Sequence, residues 1–233
     1  MNRSLPITLL AFLAAAGCVN ASDDRSAANA DVTASDGDTH AVNGSIRVPA
    51  GMQRGDVSTV NGSIRVEDDA TVSAANTVNG DIRVGAHATA ESLHTVNGSI
   101  TLGAGSRVNE TVTSVNGSLT LRDESQVAGA VTNVNGEIVL TTAHVAGGIQ
   151  TVNGDISVRS NSHIEGGILV RKPSYKLFHW QSSRPRVVIG PGASVAGALR
   201  FEREVRLYVS DRATIGPVTG ATPIRFSGEN PPG

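Results

Sequence analysis

The sequence predicts an all-β protein that folds as a single-stranded parallel β-solenoid (β-helix), with about 18 residues and three short strands in each coil. The tripeptide Val-Asn-Gly occurs seven times between residues 42 and 154, at spacings of 18 or 19 residues. Each copy is followed by two apolar residues that flank one residue predicted to face outward, which is the pattern of a very short half-buried strand. The 233-residue chain contains 26 Gly and only 3% aromatic residues, a composition that suits a narrow lumen filled by small and β-branched side chains.

Residues 1–17 are predicted to be a signal peptide. They contain Arg3, an apolar run over residues 5–16 and small residues directly before Cys18. The apolar run is too short to span the hydrocarbon core of a bilayer as a helix. The segment resembles a bacterial lipoprotein signal, which implies cleavage before Cys18 and acylation of this cysteine, for example with palmitate. In that family, a residue other than Asp directly after the acylated cysteine implies sorting to the outer membrane. This chain has Val19 at that place. An ordinary cleaved signal peptide is the alternative.

Residues 18–40 are predicted to be a flexible tether. This segment is rich in Ala, Ser, Asp and Asn and has no apolar periodicity. It would hold a solenoid over residues 41–218 a short distance from the lipid surface.

Three strands fit within each period of the predicted solenoid. The inward pairs of the first strand are Ile46/Val48, Ile64/Val66, Ile82/Val84, Ile100/Leu102, Leu119/Leu121, Ile138/Leu140 and Ile156/Val158. Those of the second are Ala70/Val72, Ala88/Ala90, Ser106/Val108, Ser125/Val127, His144/Ala146 and Ser162/Ile164. Those of the third are Val57/Thr59, Ala75/Thr77, Leu93/Thr95, Val112/Ser114, Val131/Asn133 and Ile149/Thr151. A six-residue apolar rhythm also includes Val60 and Val78. In the 19-residue coils the additional residue is expected at the corner between the second and third strands. A leucine-rich repeat is the competing solenoid, but its helix needs a longer unbroken stretch than these coils leave.

Parallel stacking of the coils places the asparagines of the tripeptide above one another, at about one strand spacing. An amide group has both donors and an acceptor, so each asparagine can bond to the next. The glycine that follows is expected to allow a positive φ at this corner. The predicted structural ladder consists of Asn43, Asn61, Asn79, Asn97, Asn116, Asn135 and Asn153.

The repeat becomes irregular after residue 158, and residues 171–186 are predicted to leave the coil as an aromatic and basic insertion, followed after residue 218 by a C-terminal tail over residues 219–233. Residues 1–170 have a net charge of −8, whereas residues 171–233 have a net charge of +6. Aromatic and arginine side chains dominate many binding surfaces, so we expect the insertion to bind a partner. Simple packing of the insertion on the flank of the rod is the alternative. The residues predicted for this role are Tyr175, Lys176, Phe178, Trp180, Arg184 and Arg186. Phe201, Tyr208 and Phe226 are expected to cap the last coil.

The search for catalytic residues is negative. No serine-elbow, phosphate-loop or dinucleotide glycine pattern occurs in a strand-to-helix context, and the histidines never form a ligand pair at i, i+2 or i+4. The single cysteine excludes an intramolecular disulfide and a cysteine-based metal cluster. We therefore expect no catalytic residue, no metal and no cofactor, and a net charge of −2 gives no support for nucleic-acid binding.

Two charged groups of the predicted solenoid have alternative interpretations. The outward column of Arg47, Arg65 and Arg83 is either solvated or a site for anionic lipid or polysaccharide. The acidic turn at residues 67–69 is either a solvated corner or a carboxylate site like that of a pectinase.

The segment from residue 145 to residue 218 resembles the bactofilins. The motifs that carry this resemblance are Ile164-Glu-Gly-Gly-Ile, Ile189-Gly-Pro-Gly-Ala-Ser-Val-Ala-Gly-Ala-Leu and Ala213-Thr-Ile-Gly-Pro-Val. The resemblance implies a parallel β-helix that forms polymers. The signal peptide and the insertion depart from that family, which consists of cytoskeletal proteins.

Together these features predict a non-enzymatic cell-envelope lipoprotein, anchored in the outer membrane on the periplasmic face or at the cell surface. It would be a rigid scaffold or spacer that self-associates end to end and presents its insertion to a partner such as peptidoglycan or a polysaccharide. The alternative is a glycan-binding or carbohydrate-active β-helix protein.

Overall fold

A computed structural model describes residues 25–27, 31–34, 37–173 and 184–232. These residues form 29 strands, numbered in chain order, and contain no helix. The strands lie on three sides of the coil. Side 1 consists of β2 (Val32–Thr33), β4 (Ile46–Val48), β7 (Ile64–Val66), β9 (Ile82–Val84), β11 (Ile100–Leu102), β14 (Leu119–Leu121), β17 (Ile138–Thr141), β20 (Ile156–Arg159), β23 (Arg186–Ile189), β26 (Arg206–Ser210) and β29 (Ile224–Phe226).

The other two sides share two long strands. Side 2 consists of β5 (Gln53–Arg54), the first part of β8 (Thr71–Asn79) and of β10 (Thr89–Asn97), β12 (Arg107–Val108), β15 (Gln126–Val127), β18 (His144–Val145), β21 (His163–Ile164), β24 (Ser194–Val195) and β27 (Thr214–Ile215). Side 3 consists of β1 (Arg25–Ala27), β3 (Thr39–Asn43), β6 (Val57–Asn61), the second part of β8 and of β10, β13 (Val112–Asn116), β16 (Val131–Asn135), β19 (Ile149–Thr151), β22 (Ile168–Val170), β25 (Leu199–Phe201) and β28 (Val218–Thr219).

All strand pairings are parallel and join equivalent positions of successive coils. Ile46 pairs with Ile64, which pairs with Ile82, at steps of 18 residues. Side 1 is a sheet of 11 strands, and sides 2 and 3 belong to one sheet of 18 strands because β8 and β10 pass through the corner without a break. The predicted parallel β-solenoid with three strands per coil is confirmed, and its ten steps on side 1 span about 48 Å.

The core is a continuous stack of inward side chains inside the coil. Side 1 contributes layers of isoleucine, leucine and valine such as Ile100 and Leu102, both fully buried. Side 2 contributes smaller residues such as Ala88 and Ser106, also fully buried. Large and small side chains thus face each other across the lumen, which fills it without aromatic rings through most of its length. Among the described residues, a ring enters the core near the C-terminal end, at Phe201.

The predicted inward orientation of His144 is wrong. The inward pair of this coil is Ala143 and Val145, both buried, whereas His144 faces outward. At the corner between sides 1 and 2, this coil has one residue fewer than the neighbouring coils, and Thr142 at that corner has a φ of 50°. At the corner between sides 2 and 3, it keeps the additional residue seen in the two preceding coils. Because these two differences cancel, the 18-residue spacing conceals the shift in strand register.

The solenoid extends beyond both predicted limits. β1 pairs with β3 and β2 pairs with β4, so part of the predicted tether belongs to the first coil. Val32 packs against the core and Ala34 is buried, although this segment has no apolar periodicity. At the other end β29 pairs with β26 and includes part of the predicted tail.

The valines of the tripeptide face away from the lumen, contrary to the six-residue rhythm. Val42 and Val96 are 48% and 40% exposed, and Val60 and Val78 are partly exposed. Each follows an inward residue such as Thr59 or Thr95. Alternation along a strand therefore directs these valines outward.

Candidate functional site

The seven predicted asparagines are brought together in one hydrogen-bonded ladder. From Asn61 to Asn153, each Nδ2 group donates to the Oδ1 atom of the asparagine in the preceding coil, over distances of 2.7–3.0 Å. All six bonds have the same direction. At the C-terminal end, Arg203 Nη1 donates to Asn153 Oδ1 at 2.5 Å and to the Val152 carbonyl at 3.1 Å. The guanidinium group thus covers the last acceptor of the ladder.

The glycines of the tripeptide allow close contact between coils, and this role differs from the predicted one. Only Gly136 among them has a positive φ. A Cβ atom on Gly98 would lie 1.9 Å from the carbonyl oxygen of Gly80, and one on Gly80 would lie 1.9 Å from that of Gly62. Glycine is required here because any side chain would collide with the backbone of the preceding coil.

Buried hydroxyl groups support the same corner from inside. Thr59, Thr77 and Thr95 each donate from Oγ1 to the carbonyl oxygen of a glycine in the preceding coil, at 2.9–3.0 Å. Ser114 and Asn133 make the equivalent bonds in later coils. The corner is therefore fixed from both sides, because buried polar groups that are paired contribute stability and specificity.

The arginines of the outward column lie in register on β4, β7 and β9, as predicted from the repeat. Glu67 Oε1 lies 2.9 Å from Arg47 Nε and 3.9 Å from Arg65 Nε, and Arg83 Nη2 lies 2.8 Å from Asp81 Oδ2. The three arginine side chains remain 52–66% exposed. They line a shallow groove beside the first coil. These ion pairs offset the repulsion between stacked cations, although exposed pairs of this kind contribute little stability.

The acidic turn is occupied by structural contacts. Glu67 makes the ion pairs just described, and Asp68 Oδ1 accepts a hydrogen bond of 2.8 Å from the Ala86 amide. Asp69 has a φ of 58°, in the left-handed region of this corner. Glu67 and Asp68 are thus engaged in contacts within the solenoid.

The insertion falls partly outside the described residues, which include neither Tyr175, Lys176, Phe178 nor Trp180. Arg184 pairs with Glu204 at 2.9 Å. The Arg186 guanidinium lies 5.1 Å from the centre of the Tyr208 ring and its Nη2 group donates to the Pro232 carbonyl at 3.4 Å. The described arginines of the insertion thus make contacts with the end of the solenoid.

The side chains predicted to cap the last coil are all nearly buried. Phe201, Tyr208 and Phe226 are each 6% exposed. Phe201 lies inward on side 3, and Tyr208 lies on the outer surface of side 1 beneath the Arg186 guanidinium.

An additional cluster lies on the outer surface of side 2. His144 and His163 are in register on β18 and β21, with ring centres 5.4 Å apart. Glu165 Oε1 lies 2.9 Å from His144 Nε2. His163 Nδ1 is hydrogen-bonded to Ser194 Oγ in the next coil. Sequence analysis missed this cluster because it assigned His144 to the core. A register that aligns Ala143 and Val145 with the neighbouring inward pairs would have revealed it.

Two other described histidines lie apart from this cluster. His40 Nδ1 is hydrogen-bonded to Ser58 Oγ on the next coil. His94 lies on side 3, where burial lowers its pKa and the nearby Glu110 carboxylate partly opposes this effect.

Comparisons with protein-family models, with curated proteins and with solved structures find no match to this chain. The resemblance to the bactofilins therefore stays a prediction. Among the described residues, no helix is sufficiently long and apolar to span a bilayer.

Proposed function

We propose that the protein is a non-enzymatic cell-envelope lipoprotein that acts as a rigid spacer or scaffold, anchored to a membrane through Cys18. The observation that supports this function is the continuous stacking of coils over about 48 Å. The asparagine ladder joins these coils along one corner as far as Asn153. A rod held by backbone pairing and by side chains that bond from coil to coil resists bending. Such a rod is suited to keeping two attachment points at a fixed separation.

The C-terminal end of the rod has features that favour association with a second copy. In the described chain, β27, β28 and β29 each pair with a single strand of the preceding coil, so their other edges face outward. Ile215 and Val218 are only partly buried there, and Ile224 is 47% exposed. Unpaired strand edges beside apolar side chains are templates for further strand addition. End-to-end assembly would cover this surface.

Sedimentation velocity over a range of concentrations tests the assembly. The full chain carrying Cys18→Ser, which cannot be acylated, should form larger species as its concentration rises. Ile224→Lys should shift the distribution to the monomer, because it places a charge on β29, the last strand of the rod, beside the unpaired strand edge. Val96→Lys is the matched control, since Val96 is similarly exposed, at 40%, but lies on the flank of the rod. A parent chain that stays monomeric at millimolar concentration would contradict end-to-end assembly.

Labelling with radioactive palmitate tests the anchor separately. The chain with Cys18 should incorporate the label and fractionate with membranes, and Cys18→Ser should abolish both. Incorporation that persists in Cys18→Ser would contradict the assignment of Cys18 as the acyl acceptor.

Glycan binding through the insertion is the competing function, supported by the concentration of Tyr175, Phe178 and Trp180 in one segment. Aromatic rings can stack on sugar rings, so replacement of Tyr175 and Trp180 by Ala should abolish peptidoglycan pull-down if this function is correct. Self-assembly of the same variant should be unchanged. Equal pull-down by the variant and the parent would contradict glycan binding through the insertion.

A further inference from the structure

We infer that His144, His163 and Glu165 form a binding site for a divalent transition-metal ion on the outer surface of side 2. Their ligand atoms all lie within 4.8 Å of one another. Two imidazoles and one carboxylate are a ligand set that suits Zn²⁺, Ni²⁺ or Cu²⁺, whereas Mg²⁺ and Ca²⁺ prefer oxygen ligands. This site is independent of the proposed spacer function.

The strand register provides the geometry of the site. Val145 and Ile164 are inward and fully buried, which anchors β18 and β21 and directs His144 and His163 outward from adjacent strands. Glu165 follows His163 by two residues, and its carboxylate reaches back to His144. The three groups therefore converge on one point above the sheet, from two consecutive coils.

The separations fit a metal ion after small side-chain rotations. Ligand atoms about 2.1 Å from a tetrahedral ion lie about 3.4 Å from each other. The Nε2 atom of His144 and the Oε1 atom of Glu165 are already 2.9 Å apart, and the widest separation in the cluster is below 4.8 Å. His144 is partly exposed and the other two side chains are exposed, which leaves space for such rotations. Three protein ligands leave a coordination position for water.

A second contact orients one ring for ligation. The Nδ1 atom of His163 is bonded to the hydroxyl of Ser194 in the next coil. An Nδ1–H group that donates to this hydroxyl leaves Nε2 as the free ligand atom. Metal-binding histidines commonly use their other ring nitrogen in this manner, which fixes both the tautomer and the ring orientation. Ser194 is therefore a positioning residue of the site.

The position of the site suggests what the ion would do. His144 belongs to one coil and His163 to the next, so the ion would cross-link the last two coils before the insertion. An ion that binds the folded state alone raises stability by mass action. Metal binding should therefore raise the melting temperature.

Calorimetric titration of the full chain carrying Cys18→Ser, with ZnCl₂ as the probe, tests the inference. The Cys18→Ser change removes the single thiol of the chain as a competing ligand. We expect one equivalent of Zn²⁺ to bind and the melting temperature to rise. His144→Ala and His163→Ala should each lower the affinity at least tenfold, and Glu165→Gln and Ser194→Ala should lower it by about tenfold. All four changes are at outward positions, so melting without metal should show that the variants remain folded.

His40→Ala is the matched control, because His40 also faces outward and bonds to a serine of the next coil but lacks a second imidazole beside it. Its affinity for Zn²⁺ should stay within twofold of the parent. Electron paramagnetic resonance of the Cu²⁺ form gives an independent measurement, since two imidazole nitrogens should split the signal and His163→Ala should leave one. No saturable binding of Zn²⁺ by the parent, or undiminished binding by the His144→Ala/His163→Ala double variant, would overturn the inference.

Discussion

The asparagine ladder provides the sharpest test of how the coils are held together. Asn97 lies in its middle, where it donates to Asn79 and accepts from Asn116, both at 2.9 Å. Replacement by alanine removes both bonds. A side-chain hydrogen bond contributes a net 0.5–1.5 kcal/mol in general, and these exposed groups regain water when unpaired, so we expect Asn97→Ala to lower the free energy of unfolding by about 1–2 kcal/mol. In a protein of this size that corresponds to about 2–8 °C in melting temperature.

Urea unfolding followed by circular dichroism measures this change. Asn109→Ala is the matched control, because Asn109 is an exposed corner asparagine outside the ladder, and it should change the free energy by no more than about 0.5 kcal/mol. Asn97→Asp keeps the side-chain shape but faces the Asn79 oxygen with a carboxylate. Its deficit should be at least that of Asn97→Ala at neutral pH and should decrease when the carboxyl is protonated. Equal stabilities for Asn97→Ala and Asn109→Ala would refute a stabilising ladder.

Two further predictions concern the corner glycines and the partly buried histidine. Gly98→Ala should cost about 3 kcal/mol or more, because its Cβ would lie 1.9 Å from the Gly80 carbonyl oxygen. Gly51→Ala has open space around the new methyl group and only a φ of +69° to oppose it, so about 1–2 kcal/mol is expected. Similar losses in urea unfolding would contradict the close-contact explanation. Burial lowers the pKa of His94 below its ordinary value of 6.5. As the pH falls below 6.5, the unfolded chain therefore binds more protons than the folded chain does, so the free energy of unfolding decreases as the pH falls. His94→Asn, which copies the in-register Asn76 of the preceding coil, should make the dependence of unfolding free energy on pH shallower between about pH 5 and 7. An unchanged slope would contradict this assignment.

The fold could be predicted because the repeat determines both strand direction and spacing. Alternation after each Val-Asn-Gly places Ile100 and Leu102 in the lumen, and a fixed period requires parallel stacking. The same argument places the asparagines in line from the sequence alone. These conclusions depend on local alternation and on spacing, which a sequence displays directly.

What could not be predicted depends on contacts between coils. The glycines appeared to serve a turn, but the distance from a Gly98 Cβ to the Gly80 oxygen exists only after the coils are stacked. The shortened corner at Thr142 is invisible in an overall spacing of 18 residues, although it reverses the direction of His144. An error of one residue in register exchanges the two surfaces of a strand. Because of that single error, the sequence did not reveal the cluster of His144, His163 and Glu165 proposed to bind a metal ion.

The close contact between successive glycines has a consequence for how this protein can change over evolutionary time. Between Asn43 and Asn97 every position has an equivalent 18 residues away. Removal or duplication of any 18 consecutive residues in this segment restores each glycine above a glycine and each amide above an amide. Rod length is therefore a quantity that gene duplication can adjust in increments of about 4.8 Å, without altering the sequence of the coils that remain.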